Sequence, residues 1–271
     1  MQKKLILLSV VILVVSVFIL GCSNEAASEE GEDNSLEAIK DKGTFVVGLD
    51  DTFAPMGFRD EAGNLVGFDV DLAKATIERL GVEVEFKPID WNSKELSLNT
   101  GEIDCIWNGF SITPEREKEV LFSKPYLANE QIIIVLADSD IVAKADLADK
   151  VVGAQINSSG LAALEADDEL MDIIADITTY DFYPDAFTDL EVGRIKAVVV
   201  DEVYGKYYIS KKPGTFKVLE ETLGSEEYGI GFRMEDKALK AEIDRILDEM
   251  KEDGTTAEIS EEWFGEDIVL K

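Results

Sequence analysis

Two kinds of apolar pattern alternate along this chain: short continuous runs that suit buried strands, and 3.6-residue spacings that suit helices. Residues 44–49 (TFVVGL) are a run of the first kind, and 69–80 read as an amphipathic helix closed by Gly81. A strand at 83–86, a helix near 94–100 and a strand at 103–107 follow, and then the long apolar run 131–136. The alternation starts afresh at 151–155, where a strand leads into Asn157-Ser158-Ser159-Gly160 and a helix. At 197–200 another strand leads into Asp201 and a helix to about Ser210. An apolar strand at 228–232, an acidic helix from 236 to about 252 and a terminal helix containing Trp263 and Phe264 complete the pattern. Strands alternating with helices predict an α/β fold, and two such units in one chain predict two lobes.

The stretch 107–116, WNGFSITPER, offers several groups suited to holding a carboxylate. The strand is expected to end at Asn108-Gly109, and a helix to begin with Thr113 as N-cap and Pro114 at its first position. Ser111 and Arg116 then flank a strand-to-helix junction, where free backbone N–H groups, a hydroxyl and a planar guanidinium can converge on an anion. A first-turn arginine that is simply solvated is the bland alternative. Together these groups predict a receptor for a small zwitterion.

The N-terminus sets the compartment. Lys3 and Lys4 precede the uninterrupted apolar stretch 5–20, followed by Gly21-Cys22, which reads as a signal peptide over 1–21. Ile19-Leu20-Gly21-Cys22 resembles the lipobox of bacterial lipoproteins, in which the cysteine is lipidated, so Cys22 is the expected anchor. A short transmembrane anchor is the competing reading, but 23–35 lacks the basic flank of a stop-transfer signal. Residues 22–38 are assigned to an acidic tether, since 23–34 (SNEAASEEGEDN) has no apolar periodicity.

Composition removes whole classes of chemistry. With 57 acidic against 26 basic residues and a formal charge of −31, nucleic acid is excluded as a partner, and the acidic excess reads as solvated surface. The chain has no histidine and 2 cysteines, which excludes Ser-His-Asp and Cys-His nucleophiles and histidine-ligated zinc. Cys105, in the apolar run IDCIW, is expected to be a buried small hydrophobe. There is no P-loop sequence.

The motifs GLDDTFAPMGF (48–58), GFDVDLA (67–73), WNGFSITPER (107–116), FSKPY (122–126), VVGAQINSSG (151–160) and GRIKAVVVDE (193–202) occur in this order. Together they resemble family 3 solute-binding proteins, the extracytoplasmic receptors of polar amino acid ABC importers. The resemblance implies a two-lobed α/β fold of the type 2 periplasmic-binding-protein kind. It implies 39–130 plus 229–271 as lobe 1, 131–228 as lobe 2, and hinge strands near 131–136 and 228–231 with the ligand cleft between the lobes.

By motif, the resemblance implies that Arg116 clamps the ligand α-carboxylate, with Ser111 beside it and Ser158 approaching from the other lobe. Asp201 would take the α-ammonium, with the carbonyl of Asn108 or Gly109 sharing it. Asp50, Asp51, Phe53 and Trp91 would form the side-chain pocket, and Gln155 is counted among the ligand contacts. Read without the family, Ser158 and Asp201 are also plausible helix N-caps, and Phe53 and Trp91 plausible core. This chain has Asn157 where relatives often carry glycine.

An acid flanked by two aromatic faces favours a cation and disfavours a ligand carboxylate. Arginine or lysine is therefore the first expectation, with glutamine, histidine and cystine as alternatives. No catalytic residue, metal or cofactor is expected. The implied partners are a permease and, through it, an ATPase subunit, with the receptor acting as a membrane-anchored monomer whose lobes close on the ligand. The competing readings are an enzyme resembling cyclohexadienyl dehydratases, which use the same cleft, and a sensor module acting through a separate protein.

Overall fold

The computed structural model describes residues 33–271. The signal peptide, Cys22 and most of the proposed tether lie outside the described residues. The tether ends earlier than residue 38, because Ser35–Lys42 is a helix. Its Ile39 is buried in the core, while Asp33 and Ser35 accept the N–H groups of Ala238 and Leu239 at the start of a later helix. A helix this short is unstable alone and persists here through docking.

Two sheets carry the fold. The first has the order Glu83–Pro88, Thr44–Leu49, Cys105–Ile106, Gly231–Phe232, Leu121–Phe122, parallel over its first three strands and antiparallel at the return strand. The second has the order Asp176–Tyr180, Val151–Gln155, Ala197–Asp201, Leu127–Leu136, Phe216–Val218. There the first three strands are parallel, and the long strand Leu127–Leu136 runs antiparallel to both of its neighbours. The same long strand pairs through residues 127–130 with Ser225–Tyr228. These two segments carry the chain between the sheets, so the molecule is a two-lobed α/β protein.

Helices cover the sheets because their apolar positions fall on one face. Phe68–Leu80 buries Phe68, Leu72, Ala73, Ile77 and Leu80, and it stops where Gly81 turns left-handed at φ 84° with its N–H shared between the carbonyls of Ile77 and Glu78. Lys237–Glu252 buries Leu239, Ile243, Ile246, Leu247 and Met250, one continuous stripe. The terminal helix Thr255–Phe264 lies on Phe68–Leu80, with Trp263 Nε1 donating to Asp71 at 3.0 Å and the rings of Phe264 and Phe68 5.1 Å apart.

Two expected strands are shorter than the apolar runs suggested. Only Cys105–Ile106 of 103–107 forms a regular ladder, although the N–H groups of Asp104 and Trp107 also reach the carbonyls of Val46 and Gly48. The run 228–232 is interrupted at Gly229 and Ile230, where the chain passes from the second ladder to the first sheet. The helix expected from Thr113 is a single 3₁₀ turn, Arg116–Lys118, because the chain must enter the edge strand Leu121–Phe122. Cys105 is fully buried, and burial raises its thiol pKa well above the ordinary value.

The helix Tyr183–Glu191 went unrecognised although Pro184 stands in its first turn and Tyr183, Ala186, Phe187 and Leu190 follow helical spacing. Its Phe187 is fully buried against Tyr204, Tyr208 and Phe216, with centroids 5.9, 4.1 and 5.4 Å away. Phe187→Ala is expected to cost about 3–5 kcal/mol, through lost transfer energy and the cavity left behind. A urea titration checks this as a lowered midpoint with an unchanged slope.

Candidate functional site

The lobes face each other across a narrow cavity lined by residues from both sides, among them Asp50, Phe53, Trp91, Arg116, Gln155 and Asp201. Asn108, Gly109, Ser158 and Ser159 also line it.

Arg116 is positioned by the motif that contains it. The N–H of Arg116 reaches Thr113 Oγ1 at 3.2 Å and that of Glu117 reaches Thr113 O at 2.9 Å, so Thr113 and Pro114 form a hydrogen-bonded turn that leads directly into the 3₁₀ turn Arg116–Lys118. The guanidinium lies over the Phe110 ring at 4.5 Å and donates to Ser111 O at 2.8 Å and, across the cleft, to Asn157 O at 3.3 Å. Burial draws its pKa down from the free value, but with acids nearby it stays charged. The result is an oriented, partly buried cation on the cavity wall.

Gly109 supplies the tight turn beneath it, at φ 53°. A Cβ there would lie 2.8 Å from Phe53 and 3.2 Å from the Tyr228 ring. The N–H of Gly109 donates to buried Asp69 at 2.7 Å, a carboxyl that burial raises to about 7. Asn108 accepts the Asp50 N–H at 3.2 Å through Oδ1, and its buried Nδ2 has no protein acceptor.

The acids separate into distinct roles. Asp50 is buried, accepting Thr52 N at 2.9 Å and Thr52 Oγ1 at 2.7 Å on one oxygen and Gln155 Nε2 at 2.9 Å on the other. Burial raises its pKa, and with three donors on about four lone-pair positions it can accept one more. Asp51 does not line the cavity. It pairs with Arg59 Nε at 2.7 Å on the partly exposed hairpin, because successive side chains at a strand end point to opposite faces. Gln155 faces the cavity but is tied to Asp50 and to Asp181 O at 2.9 Å, so it links the lobes.

Asp201 ends the strand Ala197–Asp201, and its side chain makes no helix cap. Its Oδ1 accepts from Asn129 at 2.8 Å, Gln131 at 3.0 Å and the Tyr228 hydroxyl at 2.7 Å. Burial first, and then the charge of neighbouring Glu226, raise its carboxyl to about 8. Ser158 lines the cavity, but its hydroxyl is used locally, accepting from Leu161 N at 3.0 Å and donating to Gln155 O at 2.8 Å. The N-cap role of Ser158 is therefore the one its bonds fill. Ser111 is not part of the lining; its hydroxyl joins Ser159 Oγ at 2.8 Å and Glu226 at 2.5 Å.

Phe53 stacks on Tyr204 at 5.3 Å and meets Tyr183 at 6.0 Å, both from the opposite lobe, while Trp91 stands edge-on to Phe110 at 5.8 Å. The sequence reading missed Ser159, Glu226, Asn129, Gln131, Tyr228 and Lys94. Lys94 is fully buried, 5.0 Å over the Trp91 ring, and donates to Trp91 O and Asn157 O at 3.1 Å each. Burial and the charge of Arg116 bring its pKa down to about 8. A single lysine at a helix start reads as solvated, so no local signal marked it.

Asn157 is thus the acceptor for two lobe-bridging cations. Its φ of 52° is the left-handed conformation that asparagine tolerates and that glycine adopts freely. Its Nδ2 also donates to Asn92 Oδ1 at 2.7 Å. Asn157→Gly keeps the backbone shape and the carbonyl but removes that bond. A few-fold faster ligand release with little change in melting temperature is expected, read by stopped-flow tryptophan fluorescence.

Residues 45–266 match the model of the bacterial extracellular solute-binding proteins, family 3. The L-cystine-binding protein TcyJ of Escherichia coli K12 is 32% identical over 252 residues, 92% of each chain. A Streptococcus pneumoniae ABC uptake transporter substrate-binding protein with bound histidine superposes with a TM-score of 0.86 at 38% identity, covering 89% of this chain and 99% of that one. The structure of Tv2483 bound to L-arginine gives a TM-score of 0.85 at 33% identity, covering 89% and 98%. The chain belongs to the family 3 bacterial extracellular solute-binding proteins.

Proposed function

We propose that this protein is the extracytoplasmic receptor of an ABC importer for a polar L-amino acid, with a basic amino acid, arginine or lysine, as the preferred ligand. The observation that carries the reading is one cavity between the lobes whose wall holds a partly buried guanidinium, Arg116, and two separate buried acids, Asp201 and Asp50. A zwitterion with a cationic side chain matches that charge set. Arg116 receives the α-carboxylate, Asp201 the α-ammonium, and Asp50, beside Phe53 and Trp91, the side-chain cation. Charge-assisted bonds of this kind contribute about 1.5–3 kcal/mol each, in reach of the ~8 kcal/mol of micromolar binding. The relatives named for cystine, histidine and arginine support an amino acid ligand and leave its side chain to be measured.

The segments 127–130 and 225–228 serve as the hinge, and contacts made only on closure, such as Gln155 to Asp50 and Arg116 to Asn157, stabilise the loaded form. That form docks on a permease served by an ATPase subunit. The receptor acts as a monomer anchored through Cys22 and releases its ligand chemically unchanged. Calorimetric titration of the ligand-stripped protein with the standard amino acids, cystine and ornithine tests this. Tightest binding of arginine or lysine is expected; tightest binding of glutamine, histidine or cystine would discard the preference, and no binding would discard the receptor. Prephenate and arogenate are expected to remain unconverted.

A further inference from the structure

The acid that the sequence reading missed sits directly behind the one it assigned. Glu226, on the segment Ser225–Tyr228, accepts through Oε1 from Asn129 Nδ2 at 2.8 Å and Gln131 Nε2 at 2.9 Å. These are the same two amide nitrogens that donate to Asp201 Oδ1 at 2.8 and 3.0 Å. Two acceptor oxygens that share two donors must adjoin, and two adjacent carboxylates cannot both ionise without a cation between or beside them. Among the described residues, no side-chain donor reaches the second oxygen of either acid, whereas the engaged oxygens also take the hydroxyls of Tyr228 at 2.7 Å and Ser111 at 2.5 Å.

We propose that Glu226 and Asp201 form one anionic cradle for the ligand's α-ammonium, and that the arriving ammonium displaces to solvent the proton that Asp201 holds beside Glu226. This rests on the receptor reading and adds to it a binding residue and a proton linkage. The site has the connections this needs. Asp201 lines the cavity directly, and Ser159, also on the cavity wall, lies 3.3 Å from Glu226 and 3.2 Å from Gln131 Nε2, so Glu226 stands one bond behind the ligand space. On its other side Glu226 lines an open groove with Glu130, Glu202, Ser225 and Glu227, which gives the proton a path to bulk water.

The charged and titratable groups around the pair act in both directions. Tyr228 and Tyr183 pack against it from the hinge and from the helix Tyr183–Glu191, both held neutral by burial. Arg116 favours the ionised pair, whereas Glu130, Glu202 and Glu227 favour the protonated one, with Glu202 partly offset by its bond to Lys206. Asp201, raised to about 8, holds its proton at neutral pH before the ligand arrives, and the ammonium brings that value down. Proton release is therefore expected below about pH 8, with affinity rising about tenfold per pH unit from 6 to 7 and flattening above 8.

L-Arginine and L-glutamine titrated at pH 7 in phosphate and in Tris, whose ionisation enthalpies differ, measure the proton count. About one proton released for either ligand is expected, since the linkage belongs to the α-ammonium and not to the side chain. Glu226→Gln removes one charge of the pair while burial still raises Asp201, so the release at pH 7 and the pH slope should both fall measurably without vanishing. Binding with no proton release and an affinity flat from pH 6 to 8 overturns the inference alone and leaves the receptor reading standing. Absence of binding by any amino acid overturns both. If Glu226→Gln does not fold, the buffer comparison on the unaltered protein still decides.

Discussion

Arg116→Ala is expected to lower amino acid affinity by about a hundredfold to a thousandfold for every ligand, whatever its side chain. The guanidinium is the partly buried cation on the cavity wall and is held in place before any ligand arrives, by the Phe110 ring at 4.5 Å and the carbonyls of Ser111 and Asn157. Removing it leaves an α-carboxylate to be buried beside uncompensated acids, and truncating one member of a buried, hydrogen-bonded charge pair costs about 2–5 kcal/mol. The fold should survive, because the Asn157 carbonyl keeps Lys94 as a donor at 3.1 Å, so a loss of about 1–3 kcal/mol of stability is expected. Arg116→Lys separates charge from shape: it keeps the cation but loses the planar fork, and its affinity should fall between the two. Calorimetry beside thermal melts checks the set, and retained affinity in Arg116→Ala would remove the carboxylate assignment.

Asp50→Asn should weaken arginine or lysine by about a hundredfold and glutamine only a few-fold. An asparagine can keep an oxygen towards Thr52, whose N–H and hydroxyl lie 2.9 and 2.7 Å from one carboxylate oxygen. Its amide nitrogen then faces Gln155 Nε2, itself a donor at 2.9 Å. Gln155 cannot turn to relieve this without giving up the Asp181 carbonyl, also at 2.9 Å. Every ligand therefore loses one closure bond, which accounts for the few-fold common effect. A cationic side chain loses the opposing charge as well, and in a closed, poorly solvated cavity that second loss dominates. Equal losses for arginine and glutamine would show that Asp50 works only as part of the lobe contact and does not select charge.

The fold was largely legible in the sequence because its elements are specified locally. The runs Thr44–Leu49 and Val151–Gln155 form strands over the residues read from the sequence, and Gly81 stops its helix because glycine alone enters the left-handed region at little cost. The missed elements are those whose signal is weak or non-local. The hairpin strands Thr52–Phe53, Gly57–Arg59 and Leu65–Val66 are too short to show a period. Asp176–Tyr180 is an edge strand with no fully buried residue and reads as polar.

The site divides in the same way. The sequence by itself determined the α/β alternation, the residues able to carry charge, and, through the motif 107–116, a hydrogen-bonded turn that holds Arg116. It also excluded histidine-based chemistry, because composition bounds what any fold can assemble. Only the tertiary structure decided that Asp51 pairs with Arg59 outside the cavity, that Ser158 spends its hydroxyl on its own helix, and that Gln155 and Asn157 tie the lobes together. It alone brought Glu226 and Lys94 to the site, from positions 25 residues beyond Asp201 and 22 before Arg116. Local sequence fixes backbone conformation over a few residues, whereas the partner of a charged side chain is set by which distant segments the closed lobes bring within about 3 Å.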